Sequence, residues 1–186
     1  MTQIEKEILD AAVRMFSRYG VKRTSIADLA QEAGVSRQTL YNSYKNKDDV
    51  LRALIRSYTD TAMIEIQDGL TNTDALGGQL DVVFDKMALA GFDFVQATPN
   101  AQDIIDGFNA AGKAEIDASA ERFRAVIESL LIPHRAALAN SGLTPADLSD
   151  FLQRSAKAAS SAAQDRDHLV RQLMTLKQLC LAACAL

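Results

Sequence analysis

Cysteine is scarce: Cys180 and Cys184 are the only two in 186 residues, too few for the disulfide framework of a small secreted domain. Long apolar runs are missing, since none approaches the roughly 20 residues that a membrane helix needs. Thr2 to Asp10 mixes charges instead of forming an apolar stretch, so it does not read as a signal peptide. Together these absences make a cytoplasmic protein with no membrane contact the expectation. Strand signals are nearly absent, with no sustained period-two alternation and no hairpin turn between two alternating runs. Catalytic patterns are missing as well. The two histidines, His134 and His168, stand without partners, and there is no nucleophile elbow, paired-histidine motif or zinc spacing. Gly77-Gly78 follows no strand and precedes no GK[ST], so it is not a phosphate loop. No enzyme activity, metal or cofactor is expected.

What is present is helical spacing and an uneven distribution of charge. The apolar fraction of 48% is ample for a core, and the net charge is −4. Residues 11–47 carry seven bases (Arg14, Arg18, Lys22, Arg23, Arg37, Lys45 and Lys47) against two acids, Asp28 and Glu32, while residues 48–186 hold 12 bases and 19 acids. A basic segment on an acidic body suggests that one end meets phosphate. Thr2 and Glu5 have capping-box spacing, and Ile4, Ile8, Ala12, Met15, Phe16 and Tyr19 form one apolar stripe. Gly20 ends that helix. Ser25 caps a short second helix closed by Gly34, Ser36 caps a third, and Asn46 opens a long fourth. Further helices run from just after Gly77-Gly78 to about residue 97, over 100–109, and over 113–140 with a break before Pro133. Two more, restarted by Thr144-Pro145, cover about 145–163 and 166–185. The expected fold is all-α with about nine helices.

The informative stretch is Thr24 to Lys47, TSIADLAQEAGVSRQTLYNSYKNK. Two short helices around a tight turn at Gly34 match a helix-turn-helix. Ala30 is small where the helices would cross, Gly34 permits a left-handed turn, and Val35 and Leu40 fill a small core. The second helix then exposes Arg37, Gln38, Thr39, Tyr41 and Asn42, side chains suited to base edges and phosphates. The flanks extend the pattern: F-x-x-x-G at Phe16–Gly20, then TSIADLA, GVS-x-x-TLY and YKNKDDVL. Over about residues 5–55 the chain resembles the N-terminal domain of TetR-family regulators.

That resemblance implies a three-helix DNA-binding domain over 1–46 and a helical ligand-binding and dimerisation domain over 47–186. It makes Arg37–Ser43 the recognition helix, with Arg37 and Gln38 at base edges. Ser25, Thr39, Tyr41 and Tyr44 fall where the family contacts phosphate, and Lys47 matches its phosphate-anchoring lysine. Ser36, Asn42 and Lys45 complete the candidate DNA-binding set. Gln38 stands where glycine is frequent, and Asn42-Ser43 where aromatic or histidine residues are, so the operator sequence does not carry over. The implied partners are double-stranded DNA, a second copy of the chain and an unidentified small molecule that releases a repressor from its operator.

Other signals admit two readings. Phe84, Phe92, Phe108 and Phe123, with Met63 and Met87, are candidates for an apolar ligand pocket, or they are ordinary helical core. Asp81, Asp85, Asp93, Asp103 and Asp106 are either solvated or a counter-charge for a cationic ligand. Leu169, Leu173, Leu176 and Cys180 form a stripe, which Val170, Met174 and Leu179 widen enough for a dimer interface, or one that packs inside its own subunit. Cys180 and Cys184 read as small buried residues rather than a redox pair. Two other classes remain open: an architectural DNA-binding protein without a ligand, and a small-molecule carrier that no longer binds DNA.

Overall fold

The computed structural model describes residues 1–98, 100–105 and 109–185. Among them the chain is helical, without strands. In order come α1 (Gln3–Tyr19), α2 (Ile26–Glu32), α3 (Arg37–Ser43), α4 (Lys47–Leu70), α5 (Leu76–Phe84) and α6 (Ala90–Ala97). These are followed by the single turn α7 (Gln102–Ile105), then α8 (Ala110–Leu131), α9 (Arg135–Asn140), α10 (Pro145–Ala162) and α11 (Arg166–Ala183). A turn of π-helix, Asp85–Leu89, joins α5 to α6 without a break, and a 3₁₀ turn, Ile132–His134, joins α8 to α9. Pro133 accounts for the second junction, because it has no N–H for the α-helical ladder. Among the described residues no helix is long and apolar enough to cross a membrane.

The helices form two compact units, Met1–Asp60 with Phe94–Ser119, and Thr61–Asp93 with Ala120–Leu186. In the first unit, Thr2 and Glu5 form the expected capping box at the start of α1. Ile8, Ala12 and Phe16 then go to the core with no exposed surface, whereas Ile4 and Tyr19 at the ends of the stripe remain 43% and 41% exposed. Leu29 of α2, Leu40 of α3 and Leu51 of α4 meet them, each fully buried. Each such side chain contributes about 1.5–3 kcal/mol, enough to hold two seven-residue helices that would not form alone.

The later segment of this unit is tied to α1 and α4 by polar contacts. Asn100, at φ 57°, donates its side-chain amide to Ser17 O (3.2 Å) and Arg18 O (3.1 Å) near the end of α1. Glu115 forms a two-pronged pair with Arg56 (2.6 and 3.0 Å). The buried hydroxyls of Thr59 and Ser119 meet at 2.7 Å, and Ile104 is 1% exposed within the same core.

In the second unit, Leu80, Val83, Ile127, Leu131, Leu138, Leu152, Ala156 and Leu169 are buried in one cluster. Lys177 pairs with Asp81 (2.7 Å) and Arg166 with Asp93 (3.0 Å). Gly77 and Gly78 do not precede the helix as the sequence suggests; they lie inside the first turn of α5. A Cβ on Gly78 would collide with the Thr73 hydroxyl, so Gly78 serves a close approach at the helix start.

Candidate nucleic-acid interface

Three short-range devices build the α2–turn–α3 unit. Ser25 accepts from Asp28 N–H (3.2 Å) while Asp28 accepts from Ser25 N–H (2.8 Å), which closes a capping box at α2. Gly34 has φ +68° with open space around it, so the need here is conformational. An L-residue at that angle would be strained. Ser36 then caps α3 by accepting from Thr39 N–H (3.0 Å), and its hydroxyl lies 2.8 Å from that of Thr39.

Leu40 turns inward and fixes the rotation of α3. Arg37, Gln38, Tyr41 and Asn42 are consequently exposed, Tyr41 at 50%. Gln38 donates to Asn42 Oδ1 at 3.0 Å along the outer face, which aligns two amides one turn apart. The Asp28 carboxyl is held below its usual range, first by the Ser25 hydrogen bonds and then by the charge of Arg37. Tyr44 is half-buried against the first core, and burial, then the charge of Glu5, raises its phenol. Ser25, Ser36 and Lys45 are exposed, and Thr39 is half-exposed.

Lys47 has a different environment from the one its position in the sequence suggests. Its ammonium donates to Val21 O (2.7 Å), Thr24 O (2.9 Å) and Lys22 O (3.3 Å) in the α1–α2 loop. An ammonium has three N–H donors, and three carbonyls match that number. Lys22 and Arg23, exposed on that loop, were not singled out from the sequence, although they are part of the basic run.

Apart from Phe108, the pocket and interface candidates fall in the second unit. Phe84 (2% exposed) and Phe92 (6%) are core residues, and Met87 and Phe123 pack half-buried against them. Met63 is half-buried on α4. Phe108 and Asp106 lie outside the described residues, as does the side chain of Asp103. Leu169 (0% exposed), Leu173 (4%) and Cys180 (0%) are enclosed by their own unit and have no surface left for a second chain; Leu176 is partly covered. The exposed apolar side chains of these helices are instead Phe151 on α10 and Met174 and Leu179 on α11, at 54%, 52% and 59%. Cys180 and Cys184 are both buried, and burial above all pushes the Cys180 thiol up to about 12.

These features define a helix-turn-helix domain that presents an exposed polar recognition helix. Residues 8–54 match the model of the bacterial regulatory proteins of the tetR family. The HTH-type transcriptional regulator TtgR of Pseudomonas putida is 42% identical over 55 residues, which are 30% of this chain and 26% of that protein. The chain thus aligns with about a quarter of the length of that curated relative. Over this domain the chain is similar to regulators of the TetR family. The fold extends further than the sequence match. The transcriptional regulator FadR from Bacillus subtilis, solved in complex with stearoyl-CoA, superposes with a TM-score of 0.72 at 17% identity over 96% of this chain and 98% of its own. SmeT, the repressor of the Stenotrophomonas maltophilia multidrug efflux pump SmeDEF, does so at 0.69 and 22% over 96% and 89%.

Proposed function

We propose that this chain is a cytoplasmic transcriptional repressor that occupies a palindromic operator as a homodimer and leaves it when a small molecule binds. The observation that carries the reading is the exposed face of α3, held rigidly by Ser36, Gly34 and Leu40 in a domain whose sequence matches the TetR family. Arg37 and Gln38 read base edges in the major groove, with Asn42 aligned to Gln38. Ser25, Ser36, Thr39, Tyr41, Tyr44 and Lys45 contact the phosphates on either side.

One seven-residue helix covers too little DNA for selective binding, so two copies act on two half-sites. The exposed Phe151, Met174 and Leu179 support a two-fold interface made by α10 and α11 of each copy. The ligand part of the reading draws on the FadR complex with stearoyl-CoA, and the repressor part on SmeT. Phe84, Met87, Phe92 and Phe123, with Met63, supply the apolar lining that a ligand would part. Release follows only if the ligand binds the non-DNA-binding conformation better than the DNA-binding one.

Light scattering tests the assembly: a dimer alone, and two protomers on one duplex, are expected. A compound screen read by melting temperature tests the switch, because a ligand of the native state raises it by mass action. Compounds that do so should release the duplex. A monomer on DNA, or stabilising compounds that leave the complex intact, would count against the proposal.

A further inference from the structure

We propose that the α1–α2 loop is a phosphate-binding edge of the DNA interface, with Lys22 and Arg23 making the contacts and Lys47 holding the loop in place. The inference rests on the DNA-binding function proposed above. It starts from Lys47, whose ammonium lies among the carbonyls of Val21, Lys22 and Thr24 at 2.7–3.3 Å. Moving it to a phosphate would leave three carbonyls without their charged donor, each charge-assisted bond being among the stronger kind. Lys47 lies four residues beyond Ser43, the last residue of α3. Its bonds therefore bring the loop to the edge of the domain where the recognition helix ends.

The rest of the loop is fixed just as closely. Thr24 is buried and its hydroxyl donates to Gly20 O at 3.0 Å. Arg23 Nε donates to Tyr19 O at 2.7 Å, which sets the direction of an exposed guanidinium. The acids nearby already have partners: Asp28 closes the α2 capping box and Glu32 pairs with Arg14 at 2.6 Å. Among the described residues Lys22 and Arg23 take part in no ion pair, and both are exposed. Two unpaired cations on a rigid loop beside a recognition helix suit an evenly spaced polyanion, and a preset loop loses little entropy on binding.

The test is the salt dependence of binding to a labelled mixed-sequence duplex of about 30 base pairs, three helical turns. Lys22→Gln and Arg23→Gln each remove one contact per protomer, two per bound dimer, and should each flatten the slope of log K against log salt by about 1.8, with binding weaker by roughly fifty- to a hundredfold near 0.1 M salt. Their melting temperatures should stay at the wild-type value, and Arg23→Lys should restore the slope. Lys47→Met should lower both affinity and melting temperature while changing the slope by less than about half a unit. Unchanged slopes for both loop variants overturn the inference alone, as does a drop of about 1.8 for Lys47→Met, which would put both ammonium groups of the dimer on phosphates. Wild-type protein that ignores the duplex at low salt overturns the proposed function and this inference together.

Discussion

Leu173 and Met174 are neighbours on α11, and both are apolar. They face opposite environments: Leu173 is 4% exposed in the second core and Met174 is 52% exposed. Leu173→Ala removes buried methyl groups and leaves a cavity, at a cost of about 2–5 kcal/mol. For a chain of this length each kcal/mol moves the melting temperature by roughly 2–4 °C, so a fall of roughly 4–20 °C is expected. Met174→Glu should do the reverse. It removes about 1.5–3 kcal/mol of apolar burial from each side of a two-fold contact, so the dimer dissociation constant should rise by at least about a hundredfold. Calorimetry at several protein concentrations, with sedimentation equilibrium alongside, separates the effects, because only dimer loss removes the concentration dependence of melting. A Met174→Glu protein that remains dimeric at micromolar concentration refutes the assignment of the outer face. A Leu173→Ala protein that becomes monomeric without loss of melting temperature refutes the assignment of the core.

Two further outcomes follow from the sites. Arg37→Ala and Gln38→Ala should each cost on the order of 1–3 kcal/mol per half-site on the cognate duplex and little on mixed sequence, measured by anisotropy titration; equal losses on both would mean backbone contact alone. The Cys180 thiol has a native value of about 12 against an ordinary 9.0, so the folded state holds that proton more tightly than the unfolded chain. Its contribution to stability is complete below about pH 9 and is lost as pH rises from there towards 12. The urea midpoint of the wild type should therefore fall more steeply above pH 9 than that of Cys180→Ala, and identical pH profiles would contradict the buried thiol.

Contacts of short range were legible in the sequence. The Thr2–Glu5 capping box, the Gly34 turn, the Ser36 cap, the Thr144–Pro145 restart and the break at Pro133 each depend on a single residue or on residues no more than four apart, and each is present. Periodicity also located the apolar face of α11 but not what covers it, since Leu173 and Met174 differ by neighbours rather than by type. Lys47 was legible as a cation at a helix start, whereas its carbonyl partners lie 23 to 26 residues earlier. Asn100 reaches carbonyls 82 and 83 residues away, and nothing local marks it as a tie to α1. The π-turn at Asp85–Leu89 likewise has no signal in its residue types. Tertiary closure decides these features, and local patterning does not encode it.

The central claim is sequence-selective binding by two symmetry-related recognition helices. Repeated selection of duplexes from a random-sequence pool by the purified protein tests it most directly. The expected result is one enriched palindrome whose half-sites are centred about one helical turn, or a whole multiple of it, apart, with enrichment lost for Arg37→Ala. A pool that remains random after selection, while the protein still binds DNA at low salt, would contradict the claim.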